Sequence, residues 1–122
     1  MVRTSERRLY YVTGVGQAIR YRVGVGTVGK HGSYIDRKYI RPDWSPPAAV
    51  RKHKPNLPKV IAGGSPRNPM GVVAMSLAGG EYAIHGTNQP GSIGHFVCIR
   101  MSNEDTEDLY GRVSVGRCVI VQ

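Results

Sequence analysis

The chain is poor in several residue types, and each scarcity narrows what the protein can be. It contains two cysteines, one tryptophan and one phenylalanine among 122 residues. Two cysteines far apart in sequence do not make a disulfide framework. No apolar run approaches the roughly 20 residues that a membrane helix needs, and the opening MVRTSERRLYYV holds no apolar stretch long enough for a signal peptide. The sequence therefore predicts no membrane segment, and either a cytosolic protein or the mature part of an exported one.

Acidic residues are also scarce. Eight Asp and Glu stand against 17 Lys and Arg, which gives a formal net charge of +9 at pH 7. Such an excess bears on partners and solubility and not on the fold, and it is compatible with nucleic acid, an acidic membrane face or an anionic polymer. The basic residues are spread out, apart from one cluster at residues 51–54. Because they are not clustered with aromatic residues on a recognised motif, we do not predict nucleic-acid binding.

What remains of the composition fits one compact domain. Hydrophobic residues make up 40% of the chain, which is typical of a globular protein, and this length is enough for one core. Sixteen glycines and eight prolines favour many turns and short strands over long helices. We therefore expect a single, mainly β domain over residues 1–122.

Two hairpins can be read from alternating polar and apolar residues. Residues 7–12 and 17–26 flank the turn TGVG, and residues 71–78 and 81–85 flank a Gly-Gly turn, so both pairs predict antiparallel strands. Residues 27–65 are rich in Gly and Pro and predict a long irregular loop excursion off the sheet. A short helix within residues 46–53 is compatible with its leading prolines. His31, in this excursion, is expected to be an exposed loop residue.

One helix is predicted near the end of the chain. Ser102 is a suitable N-cap, and Asp105 follows three residues later in a capping-box arrangement. Leu109 and Val113 share one face of the helix at i, i+4 spacing. A final strand at residues 117–121 completes the prediction of a mainly β domain with one late helix.

The stretch AIHGTNQPGSIGHFVCIRM, residues 83–101, carries the candidate chemistry. His85 ends a predicted strand, a loop of turn formers follows, and Cys98 comes just before the capped helix. A cysteine nucleophile needs to be a thiolate, and a nearby histidine is a common base for it. The alternative is a buried free cysteine that behaves as a small hydrophobe. Cys118, in the terminal strand on the same face as Ile120, is expected to be packed.

A metal site is a further alternative, because His85, His95 and Cys98 are nitrogen and sulfur donors. Their spacing is not a closed zinc pattern, and no second pair of donors of the usual kind is present. The sequence therefore predicts neither a metal nor another cofactor.

The amino-acid sequences of several segments resemble the catalytic domain of the L,D-transpeptidase, or YkuD-like, family. IHGTNQPGSIG followed by CIRMSNEDTEDLYGRVSVG carries the resemblance, together with RRLYYV, AIRYRVGVG, RPDWSPP and NPMG in the family's order. The resemblance implies a YkuD-like β-sandwich with a short helix after the catalytic cysteine. It also implies a bacterial, exported enzyme, periplasmic or associated with the cell wall, that acts on peptidoglycan stem peptides as donor and acceptor. Covalent inhibition by carbapenems is expected.

The resemblance assigns roles to individual residues. Cys98 matches the nucleophile, His85 matches the general base, and the carbonyl of Gly86 matches the group that holds the imidazole. Arg100 matches an active-site arginine that follows the nucleophile. Three further matches, implied as substrate-binding residues, are Thr87, Ser92 and Gly94. We expect an imidazole nitrogen of His85 within about 4 Å of the Cys98 sulfur, with His95 farther away.

The sequence departs from the family at the cysteine itself. The family carries a tripeptide, usually Ser-His-Gly or Ser-Tyr-Gly, directly before the nucleophile, whereas SIGHFV here joins straight to CIRM. Either the tripeptide is deleted, which would damage the oxyanion loop and leave a catalytically impaired peptidoglycan-binding module, or native residues are missing from these 122. The second explanation predicts a Cα separation between Val97 and Cys98 clearly above the about 3.8 Å of a peptide-linked pair. It also predicts a similar break between Thr27 and Tyr34.

Overall fold

The computed structural model describes residues 1–26, 29–46, 48–79, 82–88 and 98–122. Within these ranges the fold is mainly β, as the sequence predicts, and neither helix is long and apolar enough to cross a membrane. The strands are β1 (Val2–Arg3), β2 (Arg8–Gly14), β3 (Gln17–Arg22), β4 (Gly24–Val25), β5 (His31–Ile40), β6 (Val73–Leu77), β7 (Ala83–His85), β8 (Ile99–Arg100) and β9 (Cys118–Val121), and the helices are α1 (Ala48–His53) and α2 (Asn103–Arg112).

The described strands follow one another in the order β3-β2-β1-β9-β5-β6-β7-β8-β4. Strand β5 joins two half-sheets, because its first part pairs with β9 and its second part with β6. Val2 and Val121 from one half-sheet and Met75 and Ile84 from the other belong to a single buried cluster. The two half-sheets therefore enclose a common core, in agreement with the predicted β-sandwich.

Both predicted hairpins are confirmed. Strands β2 and β3 pair antiparallel, and Gly16 adopts a φ of 73° in the connecting turn, a conformation that glycine reaches without steric cost. In this pair Leu9 lies opposite Tyr21, and both side chains are buried. Strands β6 and β7 form the second antiparallel pair, while residues 80 and 81 of their turn lie outside the described ranges.

Strand β5 corrects the sequence interpretation. Residues 31–40 were expected to be irregular, but they form a ten-residue strand. Only Ile35 among them is buried, so the segment lacks the apolar alternation that reveals a strand, and it is held by backbone pairing on both sides. His31 is likewise not an exposed loop residue: it begins β5, is half-buried, and its ring centroid lies 4.7 Å from that of Tyr82.

The irregular excursion is real from residue 41 to residue 72, and side chains bonded to backbone carbonyls organise it. Short helix α1 lies where the sequence predicts it. Arg51 of this helix donates hydrogen bonds at 3.0–3.2 Å to the carbonyls of Pro46, Leu57, Pro58 and Lys59. The buried Asn68 amide donates to the carbonyls of Pro42, Ile61 and Ala62. Most of these carbonyls lie outside the strands, and the side-chain bonds supply hydrogen-bond donors to them.

Helix α2 confirms the predicted cap and the predicted buried face. The Ser102 hydroxyl accepts a hydrogen bond of 3.1 Å from the Asp105 N–H, and Leu109 and Val113 are buried. At the other end, Lys38 Nζ donates to the carbonyls of Tyr110 and Val113 at 2.6 and 2.9 Å. A cation at a helix C-terminus is favoured by the helix dipole, so β5 and α2 are fastened to each other there.

Strand β9 corrects the expectation for Cys118. The alternation is as predicted, with Cys118 on the same face as Ile120, but that face is exposed. The valines at positions 119 and 121 take the core side instead. Period-two alternation defines two faces without saying which one is inward, and the buried face is the one with two apolar β-branched residues and no cysteine.

Replacing Lys38 by methionine should destabilise the protein. The Lys38→Met change keeps an unbranched stem but removes both bonds to the end of α2, so we expect the free energy of unfolding to fall by about 1–3 kcal/mol. Chemical denaturation measures the change. Arg37→Met, at the exposed neighbouring position, is the control and should stay within about 0.5 kcal/mol. Equal losses in the two variants would contradict the role given to Lys38.

Candidate active site

The candidate base ends one strand, and the candidate nucleophile directly precedes the neighbouring strand. Strands β7 and β8 pair in parallel, with Ile84 opposite Ile99 and His85 opposite Arg100. Successive side chains alternate between faces, so the two isoleucines are buried in the core while His85 and Arg100 share the other face. Cys98 lies two residues before Arg100, at the bend that leads into β8.

Strand geometry gives the separation that these side chains have to bridge. Extended by one residue beyond β8, the register that pairs Ile84 with Ile99 would set Cys98 level with Ala83. His85 would then lie two residues farther along and one strand across, with about 8 Å between the two Cα atoms. Cys98 is half-buried, and its carbonyl accepts a hydrogen bond of 3.4 Å from the N–H of Gly26. The predicted approach of an imidazole nitrogen to within about 4 Å of the sulfur stays a prediction.

The His85 imidazole is held in one tautomer. The side chain is 4% exposed, and its Nδ1 lies 2.6 Å from the carbonyl oxygen of Gly86. A carbonyl only accepts hydrogen bonds, so Nδ1 carries the proton and donates it. In the neutral ring, Nε2 then keeps its lone pair and is the nitrogen that can take a proton. The carbonyl of Gly86 thus contacts the imidazole as the resemblance implies.

Burial and a neighbouring cation keep this imidazole neutral. The pKa of His85 is lowered to about 4, mainly by burial and to a smaller extent by the positive charge of Arg100, while the bond to the Gly86 carbonyl works in the opposite direction. Burial also lowers the pKa of the half-buried Arg100, while negative charge on Cys98 raises it. This attraction is mutual, so the positive charge of Arg100 favours a negative charge on Cys98 and disfavours one more positive charge on His85.

Asn103 holds the backbone next to His85 through its side-chain amide. The sequence interpretation gave this residue no role of its own. Its Oδ1 accepts from the N–H of Thr87 at 3.0 Å and of Val72 at 3.4 Å. Its Nδ2 donates to the carbonyl of Thr87 at 2.8 Å. The sequence offered only a weak signal: an asparagine directly after the N-cap Ser102, at a position where the cap is already supplied. The contact itself is tertiary and leaves no local pattern.

Several predicted positions lie outside the described residues. Ser92, Gly94 and His95 are among them, so the structure says nothing of their place relative to Cys98. The join between Val97 and Cys98 also begins outside the described ranges. Of the second predicted break, residues 27 and 28 lie outside, and strand β5 covers the part from residue 31 onward. Thr87, by contrast, is described and buried, next to Gly86 at the end of β7.

Three known proteins are similar to nearly the whole chain. The probable L,D-transpeptidase YbiS of Escherichia coli strain K12 is 37% identical over 129 residues, covering 95% of this chain and 42% of that protein. The structure of the Ldtfm–avibactam carbamoyl enzyme is 14% identical with a TM-score of 0.74, covering 99% of this chain and 47% of that one. A Brucella melitensis structure described as a probable carnitine operon oxidoreductase, caia, is 34% identical with a TM-score of 0.64, covering 100% and 84%.

These matches support different conclusions about the chain. The chain spans less than half the length of the Escherichia coli relative, so the likeness concerns one part of that protein. At 14% identity the carbamoyl enzyme is similar in fold alone. The sequence model of the L,D-transpeptidase catalytic domain, YkuD, matches residues 1–121, which is nearly every residue. The chain therefore belongs to the L,D-transpeptidase catalytic domain family.

Proposed function

We propose that this domain is a cysteine-dependent L,D-transpeptidase that acts on peptidoglycan stem peptides. The observation that carries the proposal is the state of His85: a buried, neutral imidazole whose Nδ1–H is held by Gly86, on the strand next to Cys98. Such an imidazole offers one basic nitrogen beside a thiol, which is the pairing that activates a cysteine nucleophile. The oxidoreductase description belongs to the Brucella protein, and the family match supports acyl transfer here.

The first half-reaction forms an acyl-enzyme. His85 Nε2 takes the proton of the Cys98 thiol, and the sulfur attacks the carbonyl that links an L-configured centre to the terminal D-amino acid. Negative charge moves to the carbonyl oxygen, where backbone N–H groups beside Cys98 stabilise it. The carbon–nitrogen bond then breaks, and the proton on His85 goes to the departing amine. The product is a thioester on Cys98 and a free D-amino acid.

The second half-reaction transfers the acyl group. An acceptor amine attacks the thioester, His85 takes a proton from that amine, and the Cys98 thiolate leaves and is protonated again. The positive charge of Arg100 lies in range of both Cys98 and His85, so it stabilises the leaving thiolate. The acceptor can be a second stem peptide, a lipoprotein lysine or a free D-amino acid, and water would give hydrolysis.

The proposed substrate contacts and the proposed location follow from this substrate. Arg100, Thr87, Ser92 and Gly94 are proposed to contact the stem peptide, the last two by resemblance alone. Peptidoglycan carries carboxylates, which suits the net charge of +9. Because peptidoglycan lies outside the cytoplasm, we propose that the protein is exported and works in the periplasm or on the cell wall.

A specific observation favours a second function. The tripeptide that precedes the cysteine in the family is absent from SIGHFVCIRM, and loss of oxyanion donors costs about 10²–10³ in rate. The alternative is therefore a peptidoglycan-binding module with impaired catalysis. Such a module should sediment with peptidoglycan sacculi, and Cys98→Ala should not change the bound fraction.

A carbapenem should form a covalent adduct if the enzyme is active. Incubation of the protein with a carbapenem should add the mass of the drug once, as seen by intact mass spectrometry, because its carbonyl is attacked in place of the stem peptide. Cys98→Ala should abolish the adduct. Cys118→Ala is the matched control and should keep it, although Cys118 is the more exposed thiol. An adduct that is lost in Cys118→Ala and kept in Cys98→Ala would contradict an active transpeptidase, and so would the absence of any adduct on a folded sample.

The buried His85 should make stability depend on pH. Its pKa is near 6.5 when unfolded and about 4 when folded, so the unfolded chain binds more protons between these values. The free energy of unfolding should therefore be undiminished by this group above pH 6.5 and fall by about 3 kcal/mol as the pH drops to 4. Urea titrations at pH 7, 5.5 and 4 measure it. In His85→Gln, the free energy of unfolding should fall less between pH 7 and pH 4 than in the wild type. An equal fall in both proteins would argue against a neutral, buried imidazole.

A further inference from the structure

The peptide unit between Gly86 and Thr87 has a hydrogen bond on each side. Its carbonyl oxygen belongs to Gly86 and accepts the His85 Nδ1–H at 2.6 Å. Its N–H belongs to Thr87 and donates to Asn103 Oδ1 at 3.0 Å. A peptide unit is planar, so fixing the direction of the N–H also fixes the direction of the carbonyl. The imidazole and the Asn103 amide are thus connected through one rigid group.

The Asn103 amide is itself tightly held. It makes a second bond to Thr87, from Nδ2 to the carbonyl at 2.8 Å, and a third with the N–H of Val72 at 3.4 Å. It therefore joins the start of α2 to the residues after β7 and before β6. Together the two bonds to Thr87 resemble one rung of a β-ladder, with a side chain in place of a strand.

Two glycines make the space for this amide. A Cβ on Gly86 would overlap Asn103 Oδ1 and come within 3.5 Å of the Gly71 Cα. A Cβ on Gly71 would overlap the same oxygen and the nitrogen of Thr87, and Gly71 has a φ of 73°, which side chains rarely adopt. The site is therefore shaped around an amide at position 103, on three segments that are distant in sequence.

We propose that Asn103 is a positioning residue for the base: it fixes the Gly86–Thr87 peptide so that the Gly86 carbonyl holds the His85 Nδ1–H and leaves Nε2 to take the proton of Cys98. The inference rests on the proposed role of His85. Without the amide, the N–H of Thr87 loses the bond to Asn103 at a residue that is 4% exposed, and the peptide loses a bond that fixes its orientation. The imidazole then loses its fixed tautomer and orientation. A displacement of about 1 Å at such a site can cost about 100-fold in rate.

The test compares Asn103→Leu with Ser102→Ala, both in a Cys118→Ser background so that one thiol reacts. Leucine removes every amide bond at similar size, whereas Ser102→Ala removes the N-cap of the same helix, at about 1 kcal/mol, without touching Thr87. The pH profile of Cys98 alkylation by iodoacetamide and the rate of carbapenem acylation are measured on each. Unfolding by urea reports the stability lost in each.

Asn103→Leu should shift the alkylation profile to higher pH and lower the acylation rate by about 10–100-fold. Ser102→Ala should lose stability but keep the wild-type profile. Asn103→Asp keeps an acceptor for the Thr87 N–H, so its rate should lie between those of the wild type and the leucine variant. If Asn103→Leu does not fold, Asn103→Ala replaces it.

If the pH profile of Cys98 alkylation in Asn103→Leu (or in Asn103→Ala) equals that of the wild type, the proposal is overturned. An equal shift in Ser102→Ala also overturns it, because the effect would then follow helix stability. If the wild type itself is not acylated, the transpeptidase proposal fails separately. The alkylation profiles still decide the role of Asn103 in that case, since alkylation does not need oxyanion donors.

Discussion

The parallel pairing of β7 with β8 is the constraint on which the candidate site depends. Two strands of three and two residues place Ile84 and Ile99 in the core, and the same register sets His85 opposite Arg100, with Cys98 directly before β8. Parallel neighbours need a crossing connection, so 12 residues separate the candidate base from the candidate nucleophile in sequence (98 − 85 − 1). One register therefore fixes both the core packing of this strand pair and the placement of His85 beside Arg100.

Burial of His85 sets the chemistry of that face. A buried imidazolium would place a second positive charge beside Arg100, and the ring stays neutral instead. A base with so low a pKa is weak. In the proposed reaction, a negative charge on Cys98 would raise the affinity of His85 for a proton, because a nearby anion favours the imidazolium. Proton transfer to His85 would then be tied to ionisation of the sulfur.

Short sequence patterns predicted those elements of the fold that interactions between neighbouring residues determine. The two hairpins and the capped helix were predicted correctly, because alternation, turn glycines and the Ser102 cap act within a few residues. Strand β5 was missed, since nine of its ten residues are not buried and its partners lie far away in sequence. The face of Cys118 was wrong, because alternation alone does not say which side is inward. The pairing of Cys98 with His85 came from resemblance to a family, and the Asn103 contact had no sequence pattern behind it.

The described site is held firmly on the side of the base. His85, Gly86 and Thr87 are buried, and the amide of Asn103 and the backbone of residues 71 and 72 close around them. On the side of the nucleophile, Cys98 is held through its carbonyl by Gly26 and through the strand that follows it. The departure from the family falls before Cys98, on the segment that would supply oxyanion donors. In the proposed reaction, a shortened segment there would weaken stabilisation of the tetrahedral intermediate without changing the contacts that hold His85, so thiol reactivity and acyl transfer would be separable.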